Sequence, residues 1–259
     1  MTEYNKIYKE VFKRHLEPKG FRLLKGSNIF VRLVNKEILQ IIGEEHRVKG
    51  MYSILINVKS IYYKPQFYAA MEMKNLLHSA KHLLSFAHQN PKYKNADVDA
   101  LRGLAGAGVY SLPHCDINVE EVLERAARDT EELVLPEFDK ITDIDSCIDF
   151  YMKYSLGFLC GEDNFEEDSL LLLKAKKLHD FEGNFQKTYA LHKEAIDQGK
   201  MIGTHENTYK ELQAGMVGRV IGPRDRILSD PELLKKAHET LEHMREENSK
   251  MLRSYGFEI

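Results

Sequence analysis

Residues 28 to 60 carry three consecutive short apolar runs, and an amphipathic segment leads straight into them. In EYNKIYKEVFKRHL, residues Tyr4, Ile7, Tyr8, Val11, Phe12, His15 and Leu16 recur at the spacing that puts them on one helix face. Pro18 and Gly20 stop that helix, the first lacking an N–H and the second able to take left-handed φ. NIFVRLV and EILQIIG follow, separated only by Asn35-Lys36, the length of a tight two-residue hairpin loop. In YSILINVKS, Tyr52, Ile54, Ile56 and Val58 alternate with Ser53, Asn57 and Lys59, which predicts a strand with one dry and one wet face. A helix feeding three antiparallel strands buries its apolar stripe against their sheet, so this order restricts the chain to an α+β fold.

Beyond Val58 the alternation weakens. Pro65 opens a helical reading over FYAAMEMKNLLHSAKHLLSFAH, ended by Asn90-Pro91. Gly103, Gly106 and Gly108 make a long helix costly in the next stretch, and VYSL there reads as a short strand returning to the sheet. Asp116 or Asn118 caps VEEVLERAARDTEELVL, whose early glutamates suit a helix N-terminus, and Pro136 closes it. DIDSCIDFYMKYSLGFLC starts another helix with Asp143 or Asp145 as its cap. EEDSLLLLKAKKLHDFEG and FQKTYALHKEAIDQGKMIG then read as an antiparallel helical pair joined at Gly183-Asn184, with no second copy at a fixed period. Residues 203 to 228 are glycine-rich and form the expected mobile segment. The last helix opens on Ser229-Asp230-Pro231-Glu232, a capping box with proline in the first turn. Its seam of Leu234, Ala237, Leu241, Met244, Asn248 and Met251 needs a cover, from the helical pair or from a second copy in a homodimer through residues 231-254. Docking within the chain is the expected outcome, and Asn248 then needs a hydrogen-bond partner. The division is an α+β domain over 1-155, its antiparallel sheet packed by helices, and an all-helical C-terminal extension over 156-259.

The first helix ending in LEPKGFRLLKGSNIFVRLVN, the hairpin entering EILQIIGEE and the closing helix EEVLERAARDTEELVLPEFDKITD resemble a bacterial family known as domain of unknown function 4304. The likeness spans residues 3 to 155, and its motifs are structural: a Pro-x-Gly-Phe helix stop, an aromatic-bearing hairpin and a Leu-Pro helix exit. It implies a compact bacterial cytoplasmic protein and brings no catalytic residues with it.

Each group with chemical potential has a plain alternative. His78 and His82, four apart on the expected helix with His88 beyond, can pair on Zn²⁺, but no H-E-x-x-H pattern or third ligand accompanies them. His114-Cys115-Asp116 sets a thiol between an imidazole and a carboxylate, yet neighbours in an extended segment point to opposite sides. Glu44, Glu45 and His46, placed just past the second strand, suit a solvated strand exit better than acid–base work. The glycines at 103, 106 and 108 run in reverse of a dinucleotide fingerprint. Arg219, Arg224 and Arg226 in a glycine-rich loop give a third reading, nucleic-acid binding, which their apolar setting weighs against. Tyr62, Tyr63 and Phe67 continue past the third strand and are the candidate interaction surface.

A net charge of −3 favours neither nucleic acid nor an anionic membrane as partner, and no apolar run approaches the ~20 residues of a membrane helix. Cys115, Cys147 and Cys160 are an odd, widely spaced set of the kind kept reduced in a cytoplasm. With no catalytic, cofactor or metal constellation in view, the expectation is a non-catalytic protein-interaction module, of immunity or adaptor type, in the bacterial cytoplasm. The alternative is an enzyme of unknown class using His78/His82 or His114/Cys115/Asp116.

Overall fold

The computed structural model describes residues 3–48, 51–63, 76–77, 80–82, 110–111, 118–154, 170–177, 179–180, 183, 190 and 224–259. The chain is α+β and forms two compact units. One comprises 1–59 with 76–141; the other comprises 60–75 with 142–259. The passage into the second unit falls at 141/142, and a short early segment joins the late helices.

In the first unit, α1 (Glu3–Leu16) buries Tyr4, Tyr8, Val11, Phe12 and Leu16. It runs into a 3-10 turn (Glu17–Lys19), and Gly20 at φ 86° closes it. Phe21 N–H donates to Leu16 O and Gly20 N–H to Glu17 O, the paired bonds of a Schellman end. The strands are β1 (Arg22–Leu23), β2 (Ile29–Val34), β3 (Ile38–Val48), β4 (Met51–Ser60), β5 (Lys81–His82) and β6 (Tyr110–Ser111). They form one sheet in the order β1-β2-β3-β4-β5, with β6 also on β4. The return strand expected at VYSL is therefore present, Tyr52 lying opposite Tyr110.

Three expectations need correction here. The β2–β3 turn has Asn35 and Lys36 at φ 49° and 58°, the signs of a primed turn, and Glu37 N–H closes on Val34 O. Val34 nevertheless faces Ile38, so the loop is one residue longer than Asn35-Lys36. The helix expected from Pro65 does not extend through 81–82, which pair as strand with Leu55 and Ile56 of β4. Most consequentially, β4 has no wet face where its side chains are described. Ile54, Ile56 and Val58 are buried as expected, but so are Asn57 (2% exposed) and Lys59 (3%). A polar residue on a strand is tolerated inside when its groups are paired: Asn57 Nδ2 donates to Leu76 O at 2.9 Å and its Oδ1 accepts from Val58 N–H at 2.9 Å. Gly43 on β3 permits the same close cover, since a Cβ there would lie 2.7 Å from Leu77 Cδ2.

Next come α2 (Val119–Leu133) and α3 (Leu135–Phe138). Asn118 Oδ1 caps α2 by accepting from Glu120 and Glu121 N–H. Pro136 opens α3 in addition to following α2. Phe30 of β2 meets Tyr8 and Phe12 of α1, while Gln40 of β3 donates to Phe138 O at 2.6 Å. Arg32 fastens this corner. Its guanidinium donates to Gln40 Oε1, Lys19 O and Asp139 Oδ1 and lies 4.9 Å over the Phe21 ring.

The second unit contains α4 (Ile144–Tyr154) and α5 (Pro231–Ser254). Asp143 N–H donates to Ser146 Oγ and Ser146 N–H to Asp143 Oδ1, a reciprocal cap of α4, and Asp230 caps α5 with Pro231 in its first turn. The α5 seam buries Ala237, Leu241, Met244, Asn248 and Leu252, while Leu234 and Met251 are half-buried. Asn248 (1% exposed) donates to both Ile61 O and Tyr63 O at 2.7 Å, so each amide hydrogen is used. The seam is covered within the chain, the docking that its apolar stripe led one to expect. The helix expected across 166–182 is also interrupted: 170–172 are helical and 175–177 are not.

Candidate functional site

Among the described residues, two histidines are each set between two carboxylates of one helix. In the first unit, His15 stands on the boundary of the apolar face of α1, in its last turn. Glu124 and Glu131, seven residues apart, project from one face of α2, whose apolar side packs along α1. His15 Nε2 lies 2.9 Å from Glu124 Oε2, and Nδ1 lies 3.0 Å from Glu131 Oε2. Arg14 extends the seam with its Nη2 at 3.0 Å from Glu120 Oε1 and 2.6 Å from Glu124 Oε1. Burial pulls the imidazole toward neutrality, but the bonds and charges of Glu124 and Glu131 prevail, so its pKa is raised. Glu124 is held below its ordinary range, chiefly by His15 and then by Arg14 and Arg128 against an opposing burial effect.

In the second unit, the interruption at 175–177 releases backbone N–H groups that a continuing helix would have used. Lys176 and Lys177 N–H donate to the Asp145 carboxylate at 2.9 and 3.1 Å, and His179 Nε2 sits 3.0 Å from Asp145 Oδ1. One turn along α4, Asp149 faces His179 Nδ1 at 3.3 Å and pairs with Lys177 Nζ at 2.7 Å. Burial raises the Asp145 pKa, but the two amides and His179 outweigh it and hold the carboxyl below the usual range. Asp143 is likewise lowered, first by the backbone and side-chain bonds from Ser146. The His179 side chain is 2% exposed.

The arrangement binds and orients. Each ring has both nitrogens engaged by carboxylates of its own unit, so neither ring nitrogen is directed at an open site. Among the described residues no group of three or more His, Cys, Asp or Glu side chains is arranged to hold a metal ion.

The residues singled out from the sequence fall on separate elements or lie outside the described residues. His82 lies on β5, so it cannot form an i, i+4 helical pair with His78, which itself lies outside the described residues, as does His88. His114, Cys115, Asp116, the three glycines at 103–108, Arg219 and Phe67 also lie outside them. Arg224 and Arg226 fall within helical residues 224–229, not in a loop. Glu44, Glu45 and His46 are inside β3 instead of past its end, and Glu44 accepts from Asn28 Nδ2 at 2.8 Å. Tyr62 is not open surface: it is 7% exposed, with Lys174 Nζ 4.7 Å over its ring and bonded onward to Glu242. Tyr63 is half-buried.

In sequence His15 is one of the apolar-face residues of α1, and Glu124, Glu131, Asp149 and His179 stand in no recognised motif. The seven-residue spacing of Glu124 and Glu131 was available as a signal, because it aligns two acids on one helix face. Nothing near His179 announces its partners, which come from a helix some thirty residues earlier. No family model matches the chain, and no curated protein or solved structure proves similar to it.

Proposed function

We propose that the chain works by holding a protein partner and not by chemistry at its histidines, as an immunity-type or adaptor protein of the bacterial cytoplasm. The saturation of His15 and His179 supports this reading: both rings serve to hold segments of their own unit together. No helix among the described residues is long and apolar enough to cross a membrane. With Tyr62 buried, the exposed face of α5 is the surface that this reading favours. The outer side of α5 exposes Glu232, Lys235, Lys236, Glu239, Glu242, Arg245 and Glu246, interspersing both signs. Such a face suits the polar rim of a protein interface better than a polyanion, which calls for one sign.

The test is recovery of a partner with tagged full-length chain, followed by cross-linking of the purified pair. A stoichiometric protein cross-linked to Lys235, Lys236 or Lys250, and lost on charge reversal of Lys235 and Lys236, is the expected result. A small-molecule turnover abolished by His179→Gln, with the circular dichroism spectrum unchanged, would replace the reading by an enzymatic one.

A further inference from the structure

We propose that His15 is a proton-operated latch between α1 and α2, closed while the ring carries both protons and opened when it loses one. The geometry carries this. Both ring nitrogens lie within hydrogen-bond distance of carboxylates, at 2.9 and 3.0 Å, and both acids come from the same helix. Only the imidazolium has two N–H donors. The neutral ring has one, so loss of a proton turns one of the two contacts into a lone pair facing a carboxylate in a partly desolvated seam. The acids cannot share the remaining donor, since they meet the ring at different nitrogens, Glu124 at Nε2 and Glu131 at Nδ1. Rotating the ring does not help, because it merely exchanges which acid is deprived.

The surrounding charges do not substitute for the missing proton. Glu124 and Glu131 face the ring from α2; Arg14 of α1 and Arg128 of α2 act on Glu124, and Arg14 also reaches Glu120. The 3-10 turn and β1, which also touch α1, bring Glu17, Lys19 and Arg22, all exposed. Arg32 of β2 is engaged by Gln40, Lys19 O and Asp139. Deprotonation therefore leaves one of the two carboxylates facing a bare ring nitrogen, and the seam parts at that contact.

The direction follows from linkage. The pKa of His15 is raised on folding, so the latch contributes fully below the free-histidine value of 6.5 and is lost as pH rises through the higher folded value. Each unit of that elevation corresponds to roughly a tenfold change in the closed-to-open ratio.

The test uses full-length protein. Amide protection of residues 8 to 16, corrected for the intrinsic exchange rate at each pH, should fall between pH 6 and 9. In His15→Gln the dependence should be flat, and in Glu131→Gln it should be much reduced. An equal slope in wild type and His15→Gln overturns the proposal. Should His15→Gln not fold, nitrogen NMR of the wild-type ring decides: both nitrogens protonated well above pH 6.5 supports the latch, and titration at or below that value defeats it.

Discussion

His15 and His179 present the same chemical group between the same kind of neighbours, yet they hold their surroundings in different ways. At His15 the acids are glutamates seven residues apart, long enough to reach the ring from two turns of α2, and the whole contact is side chain on side chain. At His179 they are aspartates four residues apart, and Asp145 also receives two backbone N–H groups. Amides do not titrate in the range where histidine does. Residues 176 and 177 therefore stay tied to α4 whatever the ring's charge, whereas α1 and α2 are joined at His15 by bonds that one proton controls. The backbone makes one contact permanent and leaves the other conditional.

The largest expected effect lies on the permanent side. Asp145→Ala removes the acceptor of three donors, one on a nearly inaccessible ring, and should lower unfolding stability of the second unit by about 3–5 kcal/mol in urea titration. A loss no greater than that of His15→Gln would break the contrast. His15→Gln keeps one donor toward α2 and should cost about 1–3 kcal/mol below pH 6 and much less at pH 9. Stability measured across pH sharpens this further. The His15 contribution should fade above 6.5, while that of Asp145, whose pKa is lowered, should be complete above its ordinary value of 3.8 and fade only as acid protonates it. The smallest effect belongs to Asp149→Asn, whose carboxylate is half exposed and whose bond to Lys177 water already screens: about 0.2–1 kcal/mol in the same urea titration. A larger loss would mean that His179 depends on Asp149 as much as on Asp145.

The elements whose cause is local were readable from sequence. The Gly20 stop, the Asn118 and Asp230 caps, and the apolar stripes of α1 and α5 each depend on residues within a few positions, so spacing alone reveals them. Asn248 is a fair example: its place on an apolar stripe demanded a partner, and two carbonyls supply it. What failed depended on distant chain. Asn57 and Lys59 look like a wet face until one knows that Leu76 and other cover return over β4. Lys81-His82 look helical until β4 offers an open edge. The site failed for the same reason, since the carboxylates described at His15 and His179 come from other helices, and no local pattern encodes a contact made across more than a hundred residues at His15.

The Asn248 clamp also bears on how the polypeptide comes off the ribosome. The carbonyl of Tyr63 must wait for an amide 185 residues downstream. At the usual pace of synthesis that interval is roughly 10 to 40 s. Residues 60–63 thus spend most of translation without their final neighbour, while 1–59 and 76–141 can already close upon themselves. The last helix acts as the closing stitch of the second unit, and a nascent chain halted before residue 248 would be held half-assembled, the natural substrate of a chaperone that recognises unfinished work.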